Sequence, residues 1–151
     1  MIRKLILSHG PLAAELLAAA EKIAGPMSEF TALCLDWDES FETSRQRTAA
    51  ALRGLGLESG QAVLILADMY GGTPYNVAAT FRGSSDVELV AGVNLAMVVR
   101  LGCRCNEEFD LGSLAQWILE KGRGSICTTA DDCQPARTSA ERGPRRVDAH
   151  D

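Results

Sequence analysis

The sequence predicts an α/β domain: a doubly wound, mostly parallel sheet of four strands with helices on both faces. Two observations carry this. Four short, largely apolar runs are read as apolar on both sides, as strands covered on both faces require. Between and after them lie segments with helical spacing, so the chain reads strand then helix four times over. Each crossover in such a sheet is expected to be right-handed.

Leu5 to Leu7, with Ile2, form the first strand. After Gly10-Pro11, the residues Leu12, Leu16, Ala19 and Ile23 recur at three and four positions and mark one helix face. That helix covers Leu12 to Ala24, and Gly25-Pro26 ends it. Phe30 to Leu35 is the second strand. Ser40 can cap a helix that runs to Arg53 and stops near Gly54 and Gly56. Ala62 to Ala67 is the strongest strand. Thr73 as N-cap and Pro74 as the first helical residue open a short helix to Phe81. Val87 to Val90 is the fourth strand, and Asn94 caps the helix after it. Leu111, Leu114, Ile118 and Leu119 mark a last helix with Gly122 as its stop. Ile126 to Thr128 can add a short edge strand. Residues 129–151 hold Arg137, Arg142, Arg145 and Arg146 among acids and prolines, with few apolar groups. They read as a polar, flexible tail on a working domain of residues 1–128.

Composition narrows the function. The chain has 151 residues, of which 46% are hydrophobic and 23% charged. Folding can bury about two thirds of its surface, enough for one core but not for a second domain. A net charge of −5 argues against nucleic acid or an anionic membrane as the main partner. Arg3, Lys4 and Leu5 to Leu7 imitate a signal peptide, but His9, Gly10, Pro11 and Glu15 interrupt the apolar stretch. No run approaches the ~18 apolar residues of a membrane span. Five cysteines, an odd number in a chain with a core, point to a reduced, cytoplasmic protein. The spacing of Cys103, Cys105 and Cys127 is not one that zinc commonly uses.

In a doubly wound sheet, ligands bind beyond the carboxyl ends of the strands where strand order reverses, usually between the first and third. Ser8-His9-Gly10 follows the first strand and Asp68-Met69-Tyr70-Gly71-Gly72-Thr73 follows the third. A lone loop histidine is ordinarily incidental, and a lone aspartate is commonly a turn residue. At neighbouring strand ends the two gain meaning together. A carboxylate that accepts from Nδ1–H fixes the imidazole tautomer and leaves Nε2 as a nucleophile. Gly71 and Gly72 let backbone approach an anion, and the helix opened by Thr73 offers free N–H groups. The glycines at 54, 56 and 60 follow a helix, so they are no nucleotide fingerprint. Nothing positions Mg²⁺, a nucleotide or another cofactor. The pattern suggests phosphoryl transfer through a phosphohistidine, with a phosphoprotein as donor.

Ser8-His9-Gly10, the segment from Asp68 to Asn76 and Gly92-Val93-Asn94-Leu95 together resemble the IIA component of the mannose-type phosphotransferase system. The resemblance covers residues 1–128. It implies that His9 accepts a phosphoryl group from phospho-HPr and passes it to a IIB component. Asp68 would then be the orienting carboxylate, and Gly71, Gly72 and Thr73 would surround the phosphoryl group. Met69 and Tyr70 flank the site as candidate partner contacts. It also implies a homodimer with a C-terminal strand, here Ile126 to Thr128, paired across subunits, and contact with the membrane only through IIC and IID components. Ala96 stands where the family usually has proline, which is expected to loosen that loop. No IIB domain follows, so the expected acceptor is a separate protein, or the chain serves regulation. A related phosphocarrier of a dihydroxyacetone kinase shares the chemistry. A receiver domain would need an acidic pair where Ser8-His9 stands. A flavodoxin-type module would need hydroxyl residues where Gly10-Pro11-Leu12-Ala13 lies.

Overall fold

A central sheet in the order β2-β1-β3-β4, parallel throughout, organises the computed structural model, which describes residues 1–103 and 109–129. The strands are β1 (Arg3–His9), β2 (Phe30–Leu35), β3 (Val63–Ala67) and β4 (Val87–Ala91). The helices are α1 (Leu12–Ala24), α2 (Phe41–Gly54), α3 (Thr73–Ala79), α4 (Leu95–Gly102) and α5 (Leu111–Arg123), with a 3-10 turn at Leu57–Ser59. The predicted fold class therefore holds.

Successive side chains on a strand point to opposite faces, and both faces of this sheet are covered. Ile6, Leu64, Leu66 and Val90 pack with residues of α1, α4 and α5. Leu5, Leu7, Val63 and Ile65 pack on the other side with Leu52 of α2 and Ala78 of α3. The five residues of β3 are fully buried, which explains why its run is continuously apolar.

Caps behave largely as the sequence suggests. The Ser40 hydroxyl accepts from the Thr43 N–H, and the Asn94 side chain accepts from the Met97 N–H at 3.0 Å. Asn94 also donates to the Ser125 hydroxyl at 3.2 Å, so the segment before Ala96 is held without a proline.

Several local readings need correction. On α1 the buried residues are Ala13 and Ala20, while Leu12 and Ile23 are exposed. The core-facing stripe runs through Ala13, Leu16, Leu17, Ala20 and Ala24, so it shares Leu16 with the predicted one but is rotated away from Leu12 and Ile23. Gly72, not Thr73, is the N-cap of α3, and Thr73 and Pro74 are its first residues. Gly122 does not stop α5; it lies within it, where a Cβ would come 2.6 Å from Met97 Sδ. Residues 126–128 form no strand, since turn bonds from Ser125 N–H to the Gly122 carbonyl and from Ile126 N–H to the Arg123 carbonyl direct the chain there. Cys34 and Cys103 are free thiols, whereas Cys127 is disulfide-bonded, which corrects the reading of a fully reduced chain. An odd cysteine count does not prevent one pair from meeting. Cys105, Cys133 and the tail at 130–151 lie outside the described residues. No helix among the described residues is long and apolar enough to cross a membrane.

One buried hydroxyl ties β1 to α1. Pro11 caps α1 without a side-chain bond, and the Ser8 hydroxyl takes over that task by accepting from the Ala13 N–H at 2.7 Å. Both residues are fully buried. Ser8→Ala should therefore cost about 1–2 kcal/mol in urea unfolding, because it strands a buried donor. A loss below about 0.5 kcal/mol would contradict this role.

Candidate active site

The register of β1 on β3 builds the site. Leu7 pairs with Ala67, and the Asp68 N–H still donates to the Leu7 carbonyl at 3.2 Å. A parallel ladder would next send the His9 N–H to the carbonyl of residue 68. Instead the carboxylate of that residue takes it, His9 N–H to Asp68 Oδ2 at 2.9 Å. On its other side β3 keeps its ladder with β4 to the end, where the Ala67 carbonyl accepts from the Gly92 and Val93 N–H groups.

The same oxygen holds the ring. His9 Nδ1 lies 2.7 Å from Asp68 Oδ2. Asp68 Oδ1 accepts from the Met69 N–H at 2.8 Å. Both carboxylate oxygens are thus engaged, and the side chain is 8% exposed against 23% for His9. An ionised carboxylate only accepts, so Nδ1 carries the proton of this bond, and in the neutral ring the lone pair is then on Nε2. Charge-assisted bonds of this length are among the stronger ones.

Gly72 borders the other edge of the ring. A Cβ at that position would sit 2.7 Å from His9 Cε1 and 3.3 Å from Nε2. Gly71 adopts φ +79°, a left-handed conformation suited to glycine. Asn76 secures the turn: its side chain donates to the Gly71 carbonyl at 3.1 Å and its N–H to the Gly72 carbonyl at 2.9 Å. Thr73 follows as the first residue of α3. Met69 and Tyr70 stand exposed beside the site, and the Tyr70 ring packs on Tyr75 at 4.7 Å.

The structure therefore brings His9, Asp68 and the turn at 71–73 to one edge of the sheet, with Met69 and Tyr70 at its rim. It adds Trp37, which lies outside those motifs, and gives Ser8 and Asn76 of the motifs a structural part. Trp37 stacks on His9, with ring centroids 5.4 Å apart and planes 18° from parallel. It lies two residues beyond the end of β2, on the same carboxyl edge, and strand order is the signal that points to it. Asn76 and Ser8 act only through backbone groups, which no spacing rule reveals.

Burial pushes the Glu39 carboxyl up, but hydrogen bonds led by that from Arg47 outweigh it and hold the group below the usual glutamate value. Arg47 also donates to the Cys34 carbonyl at 2.9 Å, so α2 grips the turn that carries Trp37. Among the described residues no cluster of histidine, cysteine and carboxylate side chains could hold a metal ion.

Known proteins share this arrangement of chain. Residues 4–115 match the family described as the fructose IIA component of the PTS system (EIIA-man). The fructose-specific EIIA component of Bacillus subtilis (strain 168) is 31% identical over 102 residues, 67% of this chain and 68% of that one. The mannose-specific EIIAB component of Escherichia coli (strain K12) is 29% identical over 120 residues, 79% of this chain but 36% of the longer protein. The mannose/sorbose-specific IIA subunit from Enterococcus faecalis superposes with a TM-score of 0.76 at 29% identity, over 83% of this chain and 92% of that one.

The contact at Gly72 is testable without any assay of activity. Gly72→Ala should displace the His9 ring and shift its imidazole resonances in NMR spectra, whereas Gly83→Ala, with open space around it, should leave them unchanged. Unshifted His9 resonances in Gly72→Ala would contradict the packing described.

Proposed function

The chain belongs to the mannose/fructose IIA family of the phosphotransferase system, and from that premise we propose that it is a phosphocarrier whose acceptor atom is Nε2 of His9. The family as a whole is one of phosphotransferases. Phospho-HPr is the donor and a separate IIB protein the acceptor. The observation that carries the reading is the 2.7 Å bond from His9 Nδ1 to Asp68, which leaves Nε2 with its lone pair at the edge facing Gly72.

Transfer between two imidazoles needs little covalent help from the protein. Nε2 attacks phosphorus as the nitrogen–phosphorus bond of the donor breaks, and the donor imidazole leaves with the bonding pair. The Nδ1 proton stays on His9, where Asp68 stabilises the positive charge that develops on the ring. The doubly engaged carboxylate holds the imidazole in one orientation before the partner arrives, so its entropy is lost beforehand. The N–H groups at the Gly71–Thr73 turn supply donors for the phosphoryl oxygens. Met69 and Tyr70, both exposed, contribute to the partner-facing rim. We place the working unit at residues 1–128 and the protein in the cytoplasm, as a homodimer that reaches the membrane only through IIC and IID components.

Incubation with phosphoenolpyruvate, enzyme I and HPr should label the protein with an acid-labile, base-stable phosphate. His9→Ala should take up none, and equal labelling of that variant would end the assignment. Asp68→Ala should keep the fold but slow transfer by about a hundredfold, the order expected when a reacting group loses its orientation. An unchanged rate would remove Asp68 from the mechanism.

A further inference from the structure

An indole that is 77% exposed contributes nothing to the core. Trp37 is nevertheless held in place. One face lies on the His9 ring, nearly parallel to it. Gly10 permits that approach, since a Cβ there would come 3.1 Å from Trp37 Nε1. Below it the turn is clamped from α2. Arg47 donates to the Cys34 carbonyl before Trp37 and to the carboxylates of Asp36 and Glu39 on either side of it. The Glu39 carboxylate in turn accepts from the Asp36 N–H at 3.3 Å. The clamped turn thus sets where this exposed aromatic stands, against the ring of the site.

We propose that Trp37 is a positioning residue for phosphoryl transfer at His9, covering one face of the imidazole. This rests on the reading of His9 as phosphoacceptor. Asp68 fixes the Nδ1 edge, Gly72 borders the Cε1–Nε2 edge, and Trp37 blocks rotation of the ring toward β2. When Nε2 forms its bond to phosphorus and the donor imidazole departs, the Nδ1 proton stays and the His9 ring becomes cationic. That charge then lies against the face of an indole, the aromatic surface that attracts cations best. The stack is stronger in the phosphorylated ring than in the neutral one, so it favours transfer itself and not only encounter.

The full chain, loaded by phospho-HPr in single-turnover reactions at varied donor concentration, separates the two roles. Trp37→Ala should lower the maximal transfer rate by about threefold to tenfold, the range of one aromatic stack. The half-saturating donor concentration should move by less than about twofold. Trp37→Phe, which keeps a stacking ring, should recover at least about half of the lost rate. Phosphorylation should also change the indole emission of the wild-type protein, and that change should vanish in Trp37→Phe, which leaves Trp117 as the remaining indole. An unchanged maximal rate with a raised half-saturating concentration would make Trp37 a docking contact only and overturn the proposal. So would a Trp37→Phe protein as slow as Trp37→Ala. A wild-type chain that accepts no phosphate would instead overturn the phosphoacceptor reading beneath it.

Discussion

One carboxylate oxygen stands where a rung of the sheet should be. Asp68 Oδ2 receives both the main-chain N–H and the ring Nδ1–H of His9, at 2.9 and 2.7 Å. That double hold requires β1 and β3 to be adjacent and in one register, because a slip by a residue would turn Asp68 to the other face. The register is set in turn by the alternation of Leu5, Ile6 and Leu7 against Val63 to Leu66, each buried on its own side of the sheet. The core thus fixes the position of the histidine, and the site inherits its rigidity from the strands.

Around that rung the remaining parts have separable duties. Ser8 closes the start of α1, Asn76 holds the carbonyl of Gly71, and Arg47 steadies the turn after β2. None of these three side chains bonds to the imidazole, yet each sets a boundary of the space beside it. Gly72 and Gly10 act by lacking a side chain: one leaves room for the imidazole edge, the other for the indole. Membership of the mannose/fructose IIA family places a phosphotransferase on this scaffold.

Much of this is legible in the sequence, for physical reasons that can be named. A strand buried on both faces must be apolar throughout, so β3 stands out. Ser40 and Asn94 are readable because a cap acts on residues three positions away. The carboxyl-edge rule places His9 near Asp68 before any distance is known. The stripe on α1 is not readable: Leu12 and Ile23 repeat with the same period as Ala13 and Ala20, and only the neighbouring surface decides between them. Gly122 looks like a stop because a glycine's packing against Met97 is a tertiary property. Trp37 carries no local signal, because its use comes from β2 lying beside β1, a matter of strand order and not of local pattern.

The central claim is that Asp68 keeps the His9 proton on Nδ1 so that Nε2 reacts. Nitrogen NMR of the imidazole, followed through phosphorylation, tests it directly. The free protein near neutral pH should show the Nδ1-protonated tautomer, and the phosphorylated protein should show phosphorus coupled to Nε2. A proton on Nε2 in the free form, or phosphorus coupled to Nδ1, would contradict it.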